Sequence, residues 1–342
     1  MSDVPALRLG TRRSALATTQ SQAVADDLTA ASGRAVELVE IVTLGDTSGA
    51  ALTQIGGTGV FVAALRTALL EGRIDFAVHS LKDLPTADEA GLVVAAVPRR
   101  QDPRDVLVAR DGLTLGELPP GARIGTGSPR RAAQVLALGL GHELEAVRGN
   151  VDTRIALVTD GKLDAVLLAR AGLLRLGRAS EATEVIDPLQ VLPAPGQGAL
   201  AIECRSADLQ LVELLGMLDD PDSRAAVTAE RSLLAALEAG CTAPVGALAE
   251  VVETTQGALE ISLRAVVAAP DGSAVLRQSL VGPADDPAGL GRRLATLLLQ
   301  DGAADLMSED LSEQLSEQLS ENATPVVPAH PSIDQTSPER AS

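Results

Sequence analysis

Along the first half of the chain, short apolar runs of strand length alternate with segments of helix length. Ala6–Leu9, Val36–Thr43, Ile74–Val78 and Leu92–Val97 read as strands, whereas Ser14–Leu28 and Val60–Glu71 carry alanines and leucines at helical spacing. The pattern resumes with strands at Ala122–Ile124, Leu144–Val147 and Leu163–Ala169, separated by helices at Pro129–Leu138 and Val151–Thr159. Alternation of this kind calls for α/β architecture, with parallel-rich sheets covered by helices. Such sheets take their ligands at the carboxyl ends of the strands, where the loops lie. At 342 residues the chain is too long for one core, so two or three domains are expected.

After Asp222 the pattern changes. A helix over Ser223–Ala239 precedes strands at Gly246–Val252, Leu259–Val267 and Ala274–Val281, and a second helix runs from Pro287 to Gln300. Asp271-Gly272 between two strands is a hairpin signal, so this stretch is a small α+β domain. From Asp301 the chain turns polar, with nine acids against one base and a Ser-Glu-Gln-Leu repeat, which predicts a disordered acidic tail. Leu311, Leu315 and Leu319 stripe only one narrow face there.

Function is bounded next by charge and aromatic content. The chain carries a net charge of −18 with two Phe, no Tyr and no Trp, so its cores must be aliphatic. A nucleic-acid binder needs a basic footprint and stacking groups, and an anionic membrane surface would repel this chain. The start, Met-Ser-Asp-Val-Pro, has neither the basic nor the apolar stretch of a signal peptide, and no apolar run reaches about 18 residues. No nucleic acid, no membrane and a cytoplasmic location are expected. Cys204 and Cys241 are too few for a disulfide framework, and His79, His142 and His330 have no metal-ligand spacing.

Against that acidic background, residues 99–178 hold 13 Lys+Arg and 9 Asp+Glu. Five arginines between Arg123 and Arg154 sit at the edges of Gly/Ser/Thr-rich turns, R-I-G-T-G-S-P-R-R and V-R-G-N-V-D-T-R. Ser128-Pro129 looks like a helix N-cap with proline at the first position. Arg130 and Arg131 then stand in a first turn, where cations oppose the helix dipole unless an anion sits there. A lone Arg-Arg pair is usually a solvated face. Two glycine-flanked arginine loops about 20 residues apart, each between a strand and a helix, point instead to a polyanion pocket.

Other motifs divide between chemistry and scaffolding. His79-Ser80-Leu81-Lys82-Asp83-Leu84-Pro85 follows a strand, and a carboxylate beside a lysine at a strand end can stabilise a developing cation or move a proton. Asp102-Pro103-Arg104-Asp105 reads as a structural turn clamp at a crossover. Gly45–Gly49 with Gly56-Gly57-Thr58-Gly59 lacks nucleotide-loop spacing and reads as a mobile lid. Cys204, in Ala-Ile-Glu-Cys, reads as buried and inert. Cys241 follows Gly240 just after a helix, and an exposed loop thiol suits covalent attachment of a group.

Taken together, Leu9–Ser14, His79–Asp83, Gly125–Arg131, Arg148–Arg154, Pro195–Gly198 and Gly240-Cys241 resemble the hydroxymethylbilane synthase (porphobilinogen deaminase) family, in order from about residue 6 to residue 305. The resemblance implies two periplasmic-binding-protein-like domains, residues 1–99 with 199–220 and residues 100–198, then a cofactor-bearing α+β domain at 221–306 and a tail at 307–342. The lid would span residues 44–60. It implies a transferase that condenses four porphobilinogen molecules, with loss of ammonia, into a linear tetrapyrrole on a covalent dipyrromethane cofactor. Cys241 would hold that cofactor as a thioether, and Asp83 would be the catalytic carboxylate. Lys82, Thr126, Ser128, Arg130, Arg131, Arg148 and Arg154 match cofactor-binding positions, and Arg12, Ser14, Arg175 and Gln197 match substrate-binding ones. A monomer is expected. Gln54 and Thr58 stand where lid lysines are common, Gly127 stands where serine is common, and Phe61 is retained. The rival reading is a non-catalytic anion- or solute-binding module of periplasmic-binding-protein type, which shares the arginines but has no use for Cys241.

Overall fold

The computed structural model describes residues 5–41, 59–238 and 243–307. Gln54 and Thr58 of the expected lid, the side chain of Phe61, Cys241 and the acidic segment from 308 onward lie outside the described residues. Two five-stranded sheets and one three-stranded sheet are built from the described residues.

The first sheet has the order β2-β1-β3-β10-β4, with β1 at Leu7–Thr11, β2 at Val36–Glu40, β3 at Phe76–Ser80, β4 at Leu92–Ala96 and β10 at Leu200–Arg205. β1 pairs in parallel with β2 and β3, whereas β10 runs antiparallel between β3 and β4. Helices Ala15–Ser32 and Gly59–Leu70 make the crossovers. The first of these starts cleanly because the Ser14 hydroxyl accepts the Ala17 N–H at 3.3 Å. Leu9, Leu28, Phe76 and Ile202 are fully buried between sheet and helices, an almost wholly aliphatic core as the composition requires. Cys204 lies in the same core.

The second sheet has the order β7-β6-β8-β5-β9, from β5 at Asp105–Ala109, β6 at Arg123–Thr126, β7 at Glu143–Ala146, β8 at Ala165–Ala169 and β9 at Glu184–Val185. Here β6 is parallel to β7 and β8, and β5 is antiparallel to β8 and β9. Helices Pro129–Leu136 and Val151–Thr159 start where the sequence pattern puts them. The third sheet is wholly antiparallel, β11 at Val245–Glu253, β12 at Leu259–Ala268 and β13 at Val275–Pro283, packed under helices Pro221–Ala236 and Pro287–Gln300.

β5 and the short helices Arg170–Arg175 and Leu209–Gly216 are absent from the sequence expectation. Pro103 reads as a corner, and nothing in the apolar pattern separates the strand that starts two residues later from that turn. The two segments passing between the larger sheets lie side by side, Gln101 N–H donating to Gly198 O at 3.2 Å. Gly198 has a φ of +88°, and a Cβ there would stand 2.4 Å from Gln101 O, so the paired crossing requires glycine. No helix among the described residues is long and apolar enough to cross a membrane.

Candidate active-site cleft

Parts from all three sheets converge on one cleft. Its wall includes Lys82, Ser128, Arg130, Pro195, Leu234 and Ala243. Lys82 comes from the turn after β3, Ser128 and Arg130 from the loop and helix after β6, and Ala243 stands two residues beyond Cys241. Strand ends thus deliver the first arginine loop and the Lys-Asp turn to a common space, as open α/β sheets do.

Behind the Arg130 side of that wall lies a carboxylate read from the sequence only as part of a turn. Asp105 is fully buried. Arg130 Nη2 donates to its Oδ2 at 2.9 Å, Arg131 Nη2 to its Oδ1 at 2.7 Å, and Gln197 Nε2 to the same Oδ1 at 2.7 Å. Burial alone would raise the Asp105 pKa, but the Arg130 and Arg131 charges outweigh it and hold the group well below the usual carboxylate range. The anion that offsets the two first-turn arginines is therefore, in part, supplied by the protein. Asp102 does form the turn clamp expected of this motif, accepting from Arg104 Nη2 at 2.6 Å and Arg170 Nη1 at 2.9 Å.

Both guanidiniums remain under-used. Arg130 Nη1 donates to Leu192 O and Arg131 Nη1 to Leu167 O at 3.0 Å, but Nε of each is buried without an acceptor. Lys82 Nζ donates to Gln197 Oε1 at 3.2 Å. Burial pulls the Lys82 pKa down to about 8, with Asp83 and Asp105 opposing and Arg130 and Arg131 adding to the fall. Three basic side chains thus share one internal carboxylate and a glutamine, an arrangement that favours anionic guests.

Asp83 closes a short 3-10 turn, Leu81–Asp83, directly after β3 and is half-buried. Its turn is held from below by Arg231, which donates to Leu84 O at 2.9 Å and Pro85 O at 2.6 Å. Thr126 is buried at the end of β6 and accepts the Ser128 N–H at 3.2 Å. Ser128 occupies the N-cap position with Pro129 at the first turn, yet its hydroxyl makes no capping bond, leaving it available to the cleft it lines. A Cβ on Gly127 would meet Val147 O at 2.6 Å, so the serine common elsewhere does not fit this backbone.

Other residues named from the sequence stand further out. Arg154 donates from Nε to Gly149 O at 2.9 Å, and burial, then Arg131, lowers its pKa. Arg175 donates to Gly198 O at 2.7 Å, and its pKa is pulled down by burial to about 10. Arg148 is exposed. Arg12 follows β1, and Ser14 is occupied with its helix cap.

Sequence reasoning missed Glu230. It is fully buried, accepts Arg100 through both oxygens at 2.6 and 3.0 Å, and accepts the N–H groups of Gly196 at 2.6 Å and Ala249 at 2.8 Å. Its signal was present: Glu230 shares the buried stripe of its helix with Ala226, Val227 and Leu233, where an acid needs a partner.

Comparison with known proteins gives two family matches. Residues 7–213 match the model described as porphobilinogen deaminase, dipyromethane cofactor binding domain, and residues 224–300 match porphobilinogen deaminase, C-terminal domain. A relative named porphobilinogen deaminase 1 from Streptomyces coelicolor is 59% identical over 312 residues, covering 89% of this chain and 98% of its own. The porphobilinogen deaminase of Mycobacterium marinum is 58% identical over 305 residues, covering 88% and 96%. Among solved structures, the VFT2 domain of Bordetella pertussis BvgS is similar at a TM-score of 0.40 and 16% identity over 64% of this chain and 88% of that one.

Proposed function

The chain belongs to the porphobilinogen deaminase family, and from that premise we propose how its residues divide the work. It is a transferase that condenses four porphobilinogen molecules, with loss of ammonia, into the linear tetrapyrrole hydroxymethylbilane, and its cofactor is dipyrromethane. The binding-protein alternative rests on resemblance of fold alone.

The cleft's donor set suits this cofactor. Each pyrrole carries two carboxylates, and the buried Nε–H groups of Arg130 and Arg131 lack acceptors beside Lys82 and the open Ser128 hydroxyl. Lys82, Thr126, Ser128, Arg130, Arg131, Arg148 and Arg154 hold the cofactor, and Cys241 bonds it through a thioether. When bound, dipyrromethane supplies the pyrrole carbon to which the first unit is joined. Arg12, Ser14 and Arg175 receive the acidic arms of the incoming porphobilinogen, whereas Gln197, expected in the same role, has both amide N–H groups taken by Pro103 O and Asp105 and acts through Lys82. Asp83 accepts pyrrole N–H donors and balances the positive charge that develops on a substrate ring as ammonia leaves. Its position beside the basic cleft, on a turn braced by Arg231, is the observation that carries the assignment.

Three sheets support a division into residues 1–99 with 199–220, residues 100–198 and residues 221–306. A cytoplasmic monomer without nucleic-acid or membrane partners accords with the acidic balance and the sparse aromatics. Asp83→Asn tests the catalytic role. A neutral amide still bonds to N–H groups but cannot balance a cation, which costs at least about 3 kcal/mol of barrier, roughly a hundredfold in ammonia release. Near wild-type ammonia release from porphobilinogen by a folded Asp83→Asn protein would remove Asp83 from the mechanism.

A further inference from the structure

Asp105 is the least expected acid in the molecule, since it lowers the positive charge of a cleft whose task is to bind anions. Electrostatics alone would therefore count it as a cost to binding. Its contacts suggest a different role. Arg130 and Arg131 leave one short helix at adjacent positions, so their side chains diverge unless something draws them together. One carboxylate does so, taking Arg130 on Oδ2 and Arg131 on Oδ1. Backbone carbonyls of Leu192 and Leu167 take the remaining terminal nitrogens, so Nη1 and Nη2 of both guanidiniums have protein acceptors. Only the Nε–H of each is left buried and unsatisfied, on residues that are 4% and 5% exposed. Gln197 completes the device, donating to Asp105 Oδ1 and Pro103 O at 2.7 Å each while its carbonyl oxygen accepts Lys82 Nζ.

We propose that Asp105 is a positioning residue of the anion cleft: it gathers Arg130 and Arg131 and, through Gln197, Lys82 into one fixed donor array that presents the arginine Nε–H groups to guest carboxylates. The proposal rests on the function assigned above. Two flexible arginines would each lose rotamer freedom on meeting a carboxylate, and the buried clamp has already removed that freedom before the guest arrives. Asp105 touches no guest itself.

The test exploits opposite signs. Asp105→Asn is nearly isosteric and makes the cleft more positive by one charge, so a Coulomb account predicts tighter binding of porphobilinogen. Loss of positioning predicts weaker binding. Wild type and Asp105→Asn are loaded across a porphobilinogen series, and the half-saturating concentration for covalent mass gain is read by denaturing mass spectrometry, beside KM and kcat for ammonia release. We expect both the half-saturating concentration and KM to rise about tenfold, with far-ultraviolet circular dichroism unchanged. An unchanged or lowered value of either would overturn the proposal. A wild-type protein that gained no mass would instead overturn the functional reading on which it rests. Should Asp105→Asn not fold, Asp105→Glu keeps the charge but lengthens the arm by one methylene. A raised KM is expected for it, and a wild-type KM would contradict the fixed array.

Discussion

At the scale of single residues, the chemistry is set by how incompletely the protein satisfies its own cations. Lys82 is the most telling. Its charged form is disfavoured by burial, so in the cofactor-free protein it is protonated below about pH 8 and neutral above. The folded pKa lies below the unfolded value of 10.5, so this lysine destabilises the fold below about pH 8 and that penalty lifts as pH rises toward 10.5. Binding runs the other way, because a carboxylate guest favours the charged ammonium. The porphobilinogen concentration needed to half-load cofactor-free protein should rise as pH passes through about 8, and Lys82→Met should flatten that step. A profile identical in the two proteins would show that Lys82 does not meet a carboxylate. By contrast, Cys204 is a core thiol whose pKa burial pushes up to about 11, with Asp208 adding to the rise, which makes it a poor nucleophile.

At the scale of elements, the sequence was most legible where packing is local. Val151–Thr159 and Pro287–Gln300 have the bounds their periodicity predicts, and the Asp271-Gly272 hairpin joins β12 to β13. Of the three strands that were not legible, β5, β9 and β10, two escape the pattern for a clear physical reason. β5 begins with buried Asp105, whose partners lie 25, 26 and 92 residues away. β10 pairs with strands more than 100 residues earlier, and only the family resemblance anticipated that return. The site divides in the same way: Lys82, Asp83 and the arginine loops are contiguous motifs, whereas Asp105 and Glu230 acquire meaning only once distant segments meet. Helix Pro221–Ala236 carries the heaviest of these long-range links. Glu230→Gln should cost about 3–5 kcal/mol in urea unfolding, because it leaves Arg100 buried without its counter-charge. An unchanged unfolding midpoint would mean that the pair does not hold the crossings together.

At the scale of the whole molecule, the third sheet and its helices act as a brace between the two larger sheets. Arg224 donates to Ala95 O at 3.0 Å and Arg231 to the turn of Asp83, while Arg277 donates to Gln190 O at 3.2 Å on the other side. Ala243 and Leu234 reach the cleft from the same unit, on either side of Cys241 in the sequence. The central claim is that this chain builds a tetrapyrrole on a cofactor bonded to Cys241. Denaturing mass spectrometry of wild type, Cys241→Ser and Cys204→Ser after incubation with porphobilinogen tests it most directly. The account predicts a mass increase of two pyrrole units or more on wild type and Cys204→Ser, and none on Cys241→Ser, whose hydroxyl stays protonated at neutral pH. Wild type that gains no mass, or an adduct that is lost with Cys204 and kept without Cys241, would contradict it.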